Sequence, residues 1–425
     1  MTAREDALSG LAVNGGPKVR LKSWPERGHF GVEEKQAVDD LFDDAITSGR
    51  PFGYNGPVEE AFCREFAEFM GGGFVDGVNS GTSAVYAALK ALGVEPFTEV
   101  IVSAMTDPGG MMPVVLLNCI PMVADTAPDR FAPGPDEIEE LISPRTSAIV
   151  VPHIAGDPAD MVGIMEVARR HDIPVVEDCA QSHAATLNGR MAGTFGNAAA
   201  FSTMFIKHMN TGGQGGLVFT KSEELYQATR RASDRGKPFF MPEGSTNQVA
   251  SHNLNLNDLS AAIGRVQLRK LPGIVAARRA FVRKITEGVH ERELRALSVT
   301  PSLPGAESSY WWLPLKIDSE NLACDAGTFR EALAVEGIPV SPISWVLMPH
   351  RMEWFRKRRV FGTSGYPWAS PLYKGDAGRE FPCPNAVATF ETHANLAIHE
   401  SWGDEEAADI LTAFAKVERA FSREG

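Results

Sequence analysis

The sequence predicts an α/β protein: a large domain on a mostly parallel sheet with helices on both faces, then a smaller α+β domain at the C-terminal end. Three observations carry this. From Phe74 to about Phe219 short apolar runs alternate with helical stretches, the rhythm of a parallel sheet covered on both sides. A helix-rich stretch from Leu256 to about Arg292 then gives way to a mixed pattern of strand and helix. The chain's 425 residues also exceed what one simple core usually supports, which favours two domains around a shared cleft.

The opening segment to about Glu26, rich in Gly, Pro and basic residues, reads as an irregular arm (1–26) lying across the body. A helix follows from Val32 toward Ile46, then a long Gly- and Pro-bearing turn. Val58 to Met70 is helical, with Phe62, Phe66 and Phe69 on one face as core packing. The apolar runs that read as strands begin at Glu99, Ile120, Ser147, Ile173, Ala198 and Gly216. Ligands of such sheets sit at the carboxyl ends of strands, where Asp178, Ser202 and, just beyond, Lys207 fall. The large domain is placed at 27–290 and the small one at 291–425, the latter with a strand at Trp311–Ile317 and a helix near Ala326–Glu336. There is no internal repeat and no low-complexity run.

Composition narrows the function class. A formal net charge of -13 repels a phosphate backbone unless basic residues gather on one face, and the basic clusters are short, as in Arg356-Lys357-Arg358-Arg359. Nucleic acid is therefore not an expected partner. Cys63, Cys119, Cys179, Cys324 and Cys383 are odd in number and lack metal-like or CxxC spacing, which argues against a disulfide framework or a zinc site and suits a reducing cytoplasm. Acidic residues stand near the N-terminus where a signal peptide needs a positive flank, and no later run reaches the roughly 18 apolar residues of a membrane helix. A cytoplasmic protein that does not enter membranes is expected.

Three clusters carry chemistry. In Val78-Asn-Ser-Gly-Thr-Ser-Ala a polar turn at Gly81 runs into a helix, whose open amides, with the hydroxyls of Thr82 and Ser83, suit a phosphate. Taken alone, such a motif is more often a capped helix without a ligand. In Val175-Val-Glu-Asp-Cys-Ala-Gln a buried strand delivers Glu177 and Asp178 to its end. Asp178 suits a pyridine nitrogen and Gln181 a ring hydroxyl, although an Asp there also caps helices. In Phe201-Ser-Thr-Met-Phe-Ile-Lys-His a lone lysine sits among apolar residues, followed by Gly212, Gly213, Gly215 and Gly216. Desolvation would free the Lys207 amine to attack an aldehyde, and the glycines would let the backbone pass close to a flat ring.

Their order is demanding: phosphate turn, then acid, then a lysine 29 positions after the acid. Together EDCAQSHAA, GTFGN, FSTMFIKH and GGQGG resemble the DegT/DnrJ/EryC1/StrS family of sugar and aminocyclitol aminotransferases, of fold type I, dependent on pyridoxal 5'-phosphate. The likeness covers most of the chain, through LAVNGGPKVR, SWP, NSGTSAV, PHIAGDPADM and NLNDLSAAIGRVQLRKL, and loosens over the last hundred or so residues.

The resemblance implies a large domain with a seven-stranded sheet, Lys207 as the imine-forming lysine and Asp178 as the partner of the pyridine nitrogen. It further implies Gln181 beside the ring hydroxyl, Ser202 with Gly81 and Thr82 at the phosphate, and Asn253 reaching the phosphate of a neighbouring subunit in a homodimer. The implied reaction moves an amino group from glutamate or glutamine to a keto-sugar or keto-cyclitol, in secondary-metabolite or glycan synthesis.

Three positions depart from the family pattern. Asp107 or a neighbour in Ala104-Met-Thr-Asp-Pro-Gly-Gly stands where an aromatic usually stacks on the ring. Gln214 replaces an acid in a loop one residue longer, next to the substrate. Asn255 replaces an arginine, which weakens the case for a nucleotide-linked acceptor. His183 is a further candidate to face substrate, whereas His153 and His208 read as packed residues. The aromatics Tyr310, Trp311 and Trp312, and the run from Trp345 to Trp368, could line a pocket, although such density more often means core or subunit contact. Two rival functions remain, a keto-sugar dehydratase or deoxygenase and a non-catalytic regulator. The first generally has histidine at the position of Lys207, and no DNA-binding segment supports the second.

Overall fold

The structure, a computed structural model, describes residues 3–423, so the ends of the expected arm and small domain lie outside it. Seven strands form the main sheet: β1 (Phe74–Val78), β2 (Glu99–Ser103), β3 (Ile120–Ala124), β4 (Thr146–Pro152), β5 (Val175–Asp178), β6 (Ala198–Ser202) and β7 (Gly216–Thr220). Their spatial order is β1-β7-β6-β5-β4-β2-β3. The pairs from β6 to β3 are parallel, and β7 alone runs against its two neighbours. Such a sheet is buried on both faces, which is why β2, β3, β5 and β6 are buried along their whole length.

Helices follow the expected positions in the first half: α2 (Val32–Ser48), α3 (Pro57–Phe69), α4 (Gly81–Ala91) and α5 (Pro108–Leu116). Phe62 and Phe66 of α3 are almost fully buried and pack with Phe201 of β6, as the aromatic stripe predicts. The opening arm differs from expectation. It begins with a helix, α1 (Ala3–Ser9), and its Leu11 is fully buried in the core of the C-terminal region. Glu336 accepts the amide hydrogens of Ala12 and Val19, and Arg20 pairs with Glu406 and Asp409.

The helix-rich stretch is one 34-residue helix, α6 (Asp258–Glu291), which continues through Pro272. Leu268, Leu271 and Val275 belong to a core shared with α3 and β6, whereas Phe281, Val282 and Ile285 belong to that of the C-terminal region. The helix thus passes from one core to the other well before residue 290. A second sheet covers that region, with β8 (Leu297–Val299), β9 (Leu313–Ile317), β10 (Val340–Pro342) and β11 (His393–Leu396) in the order β8-β9-β11-β10. Cys63, Cys119, Cys179 and Cys383 are buried free thiols. Among the described residues no helix is long and apolar enough to cross a membrane.

Candidate active site

A cavity of about 200 Å³ opens at the carboxyl ends of β5 and β6 and the N-termini of α4 and α5. Gly81, Thr82, Asp178, Gln181, Ser202, Lys207 and Gln214 all line it. At its floor, the Ser80 side chain caps α4 by accepting from the amide of Ser83, and the amides of Gly81 and Thr82 have no intrahelical partner. A Cβ on Gly81 would lie 2.7 Å from that of Ser202, so only glycine lets the helix end close against the strand end. The result is a concave cradle of amides and hydroxyls, the donor set that a phosphate group takes.

Asp178 and Gln181 are fixed by backbone donors. The Asp178 carboxylate accepts from the amide of Ala180, and burial pushes its pKa up despite that bond and the nearby Lys207 charge. Gln181 accepts from the amide of Ala155 at 2.8 Å, which leaves its side-chain NH2 as the donor for the cavity. Ala155 has φ 61, a left-handed conformation costly for a residue with a Cβ, and its carbonyl accepts from the amide of Trp311.

Lys207 stands on a loop held from behind. The Arg27 guanidinium donates to the carbonyls of Ile206, Lys207 and His208 at 3.0, 2.8 and 3.0 Å. Glu400 pairs with Arg27 at 2.7 Å and with Arg278 at 2.9 Å, and Arg278 donates to the carbonyls of Tyr310 and Trp311. Burial alone would raise the Glu400 pKa, yet His29 and these two guanidiniums hold it well below the usual carboxylate range. The lysine itself is 6 % exposed, and burial lowers its pKa to about 8, against the opposing charges of Asp107 and Asp178. Its Nζ lies 3.7 Å from the centre of the Trp311 ring.

Trp311 also faces a second cavity, of about 740 Å³, between the main sheet and the C-terminal region. Asp107 lines both cavities, so the two lie side by side at that residue. The outer walls mix apolar surface from Trp311, Trp312 and Leu347 with polar groups from Ser341, Ser344 and Asn395.

Three expected residues lie elsewhere. The Ser83 hydroxyl bonds to Asn79, and Ser83 is not among the residues lining the inner cavity. His183 does not meet the expectation that it faces substrate. It is 1 % exposed, packs between Phe201 and His208, and burial lowers its pKa to about 3. Asn253 lies outside both cavities of its own chain, where its side chain accepts from Asn255. His153 is buried in a structural role: its Nδ1 accepts from the amide of Ala159 and its Nε2 lies 3.1 Å from Glu177. Glu177 also accepts the amides of Gly193, Phe195 and Gly196, so it holds a turn.

The model of the DegT/DnrJ/EryC1/StrS aminotransferase family matches residues 33–415. The chain belongs to this aminotransferase family. Its curated relatives in the family include an L-glutamine:2-deoxy-scyllo-inosose aminotransferase of Micromonospora echinospora, 31% identical over 96% of this chain and 97% of that one. An L-glutamine:scyllo-inosose aminotransferase of Streptomyces griseus is 29% identical over 96% of this chain and 97% of its own. Among solved structures, an aminotransferase from Psychrobacter cryohalolentis superposes with a TM-score of 0.78 at 26% identity, over 93% of this chain and 98% of that one.

In this aminotransferase Arg27, Arg278 and Glu400 also hold the site, and no motif in the sequence points to them. Arg27 follows the SWP motif and Glu400 lies 373 positions away, so no local pattern joins them. Trp311 meets the pocket-lining alternative for its aromatic cluster: it lines the outer cavity, with its ring 3.7 Å from Lys207 Nζ.

Proposed function

We propose that this aminotransferase uses pyridoxal 5'-phosphate bound at Lys207 to move an amino group from glutamine to a keto-cyclitol. The observation that carries the reading is the position of Lys207: desolvated, in one cavity with Asp178 and the phosphate cradle, and 3.7 Å from the ring of Trp311, which lines the larger polar and apolar cavity. The names of the curated relatives supply the donor and the acceptor class.

The residues fit the cofactor. The amides of Gly81 and Thr82 and the hydroxyls of Thr82 and Ser202 would hold its phosphate, and Gln181 would donate to the ring hydroxyl. Asp178 would keep the proton on the pyridine nitrogen. When bound, the cofactor supplies an electron sink for the donor's α-carbon and stores the amine between the two half-reactions. Burial lowers the Lys207 pKa to about 8, and the amine, in its neutral form, would take and return the proton at that carbon. Backbone at Gly109 and Gly110, where side chains would collide with Thr82 and Asp178, walls the cavity in place of an aromatic ring. Because Asn253 lies outside its own chain's cavities, we assign it to the site of a second subunit, in a homodimer.

The test is a half-reaction. Enzyme loaded with pyridoxal phosphate and given glutamine should convert to the pyridoxamine form, followed by absorbance, and a keto-cyclitol should restore it. Lys207→Ala protein should lose the conversion by at least a thousandfold; conversion at the normal rate in that variant would refute the reading.

A further inference from the structure

We infer that Arg27, Glu400 and Arg278 are positioning residues of the amino-transfer reaction. With Trp311 they close a ring of contacts that fixes the lysine loop against the Trp311 side chain, and so fixes where the Lys207 amine meets the donor's α-carbon. The inference rests on the amino-transfer reading above and assigns the groups that aim its lysine.

Three successive carbonyls, those of Ile206, Lys207 and His208, point at the one guanidinium of Arg27. Carbonyl dipoles that converge in this way repel one another, and away from water each needs a donor. Arg27 meets both needs, with a positive charge and with a planar fork of donors that a lysine lacks. Its Nε is left for Glu400, at 2.7 Å. From Glu400 the contacts run to Arg278 at 2.9 Å, and from Arg278 Nη1 to the Trp311 carbonyl at 3.0 Å. Trp311 closes the ring: its indole Nε1 donates at 3.3 Å to the Ile206 carbonyl, the same oxygen that Arg27 holds.

A closed ring has no free hinge. The backbone of Lys207 follows directly on Ile206, a member of the ring, and its Nζ meets the face of the Trp311 side chain at 3.7 Å. The loop can therefore leave Trp311 only if contacts to both Arg27 and the indole break together. Its members come from the N-terminal arm, the lysine loop, α6, the approach to β9 and the turn after β11, so the ring also ties the lysine to the C-terminal region. Such a hold matters for a proton transfer at carbon, where groups have to be placed within about 0.5 Å and a displacement of about 1 Å can cost about a hundredfold in rate. Two guanidiniums share the one carboxylate of Glu400, with His29 beside it. Loss of Glu400 would leave both cations without a counter-charge, whereas loss of Arg27 leaves a balanced Glu400–Arg278 pair.

Arg27→Ala and Arg27→Lys separate aim from charge. Alanine opens the ring; lysine keeps a cation for Glu400 but has no fork for three carbonyls. Wild type and both variants are loaded with pyridoxal phosphate and mixed with glutamine, and the single-turnover rate is followed by absorbance. Both variants should lose roughly tenfold to a hundredfold in maximal rate. Binding of pyridoxamine phosphate to the cofactor-free proteins should stay unchanged, because the phosphate cradle, Asp178 and Gln181 lie outside the ring. A wild-type rate in either variant overturns the inference, and so does a loss of pyridoxamine phosphate binding as large as the loss of rate. A second readout needs no donor. Opening the ring admits water to Lys207, whose facing charges, Asp107 and Asp178, stay in place. The midpoint for attachment of pyridoxal phosphate to the cofactor-free protein should then rise by about one pH unit in both variants; an unmoved midpoint overturns the inference. If glutamine fails to convert wild type, the amino-transfer reading falls, and the attachment midpoint alone decides whether Arg27 aims the lysine.

Discussion

At the scale of single residues, the chemistry depends on how far burial outweighs charge at Lys207. Desolvation lowers the ammonium pKa from 10.5 to about 8, and Asp107 and Asp178 keep it from falling further. Below that value the amine is protonated and cannot attack an aldehyde; above it the amine is free. Attachment of pyridoxal phosphate to the cofactor-free protein should accordingly speed up with pH through a midpoint near 8, measured by stopped-flow absorbance. A midpoint near 10.5, that of an ordinary lysine, would show that burial does not tune this group. Lys207, Asp178 and Ser202 were legible because each sits in a run of apolar neighbours that a surface residue would not have. Asp107 was legible as a departure from a pattern, but its position between two cavities was not. Arg27 and Glu400 act only after folding has closed a separation of 373 residues, and each alone looks like an ordinary surface charge.

Among the secondary-structure elements, the site is made by strand ends and by turns that press against them. Alternation of apolar runs and helices was enough to read the main sheet, since strands buried on both faces have to be apolar throughout. The helix α1 was missed because its own sequence gives it little support. A helix of seven residues is marginal in isolation, and this arm is held by docking Leu11 into a distant core. The length of α6 was obscured by Pro272, which usually ends a helix; here packing against two cores carries the helix past it.

The turn at Ala155 and Gly156 joins the Gln181 side chain to the Trp311 backbone. Gly156 has φ +87, and a Cβ there would lie 2.7 Å from both Ser309 Oγ and the Tyr310 nitrogen. Gly156→Ala should destabilise the protein by about 2 kcal/mol in denaturant unfolding and weaken cofactor binding, because the change strains the turn and pushes Trp311 off the lysine. Unchanged stability and cofactor affinity would mean that this contact does not position the site.

Over the whole molecule, one long helix joins two of the cores, and the reacting lysine lines the inner chamber while the Trp311 ring beside it lines the outer one. We place the domain division within α6, where its packing changes core between Val275 and Phe281. The inner chamber carries the residues that the motifs pointed to. The outer one is built from the N-terminal arm, the lysine loop and the C-terminal region, segments far apart in the chain that no local motif joins, and this is why the sequence alone did not describe the acceptor's surroundings.

The central claim is that Lys207 carries the cofactor and gives it up to an amino donor. Borohydride reduction of the loaded enzyme followed by peptide mapping tests it most directly. A pyridoxyl label is expected on the peptide containing Lys207 and on no other, and it should be lost when glutamine is added before reduction. A label on a different lysine, or one that glutamine leaves in place, would contradict it.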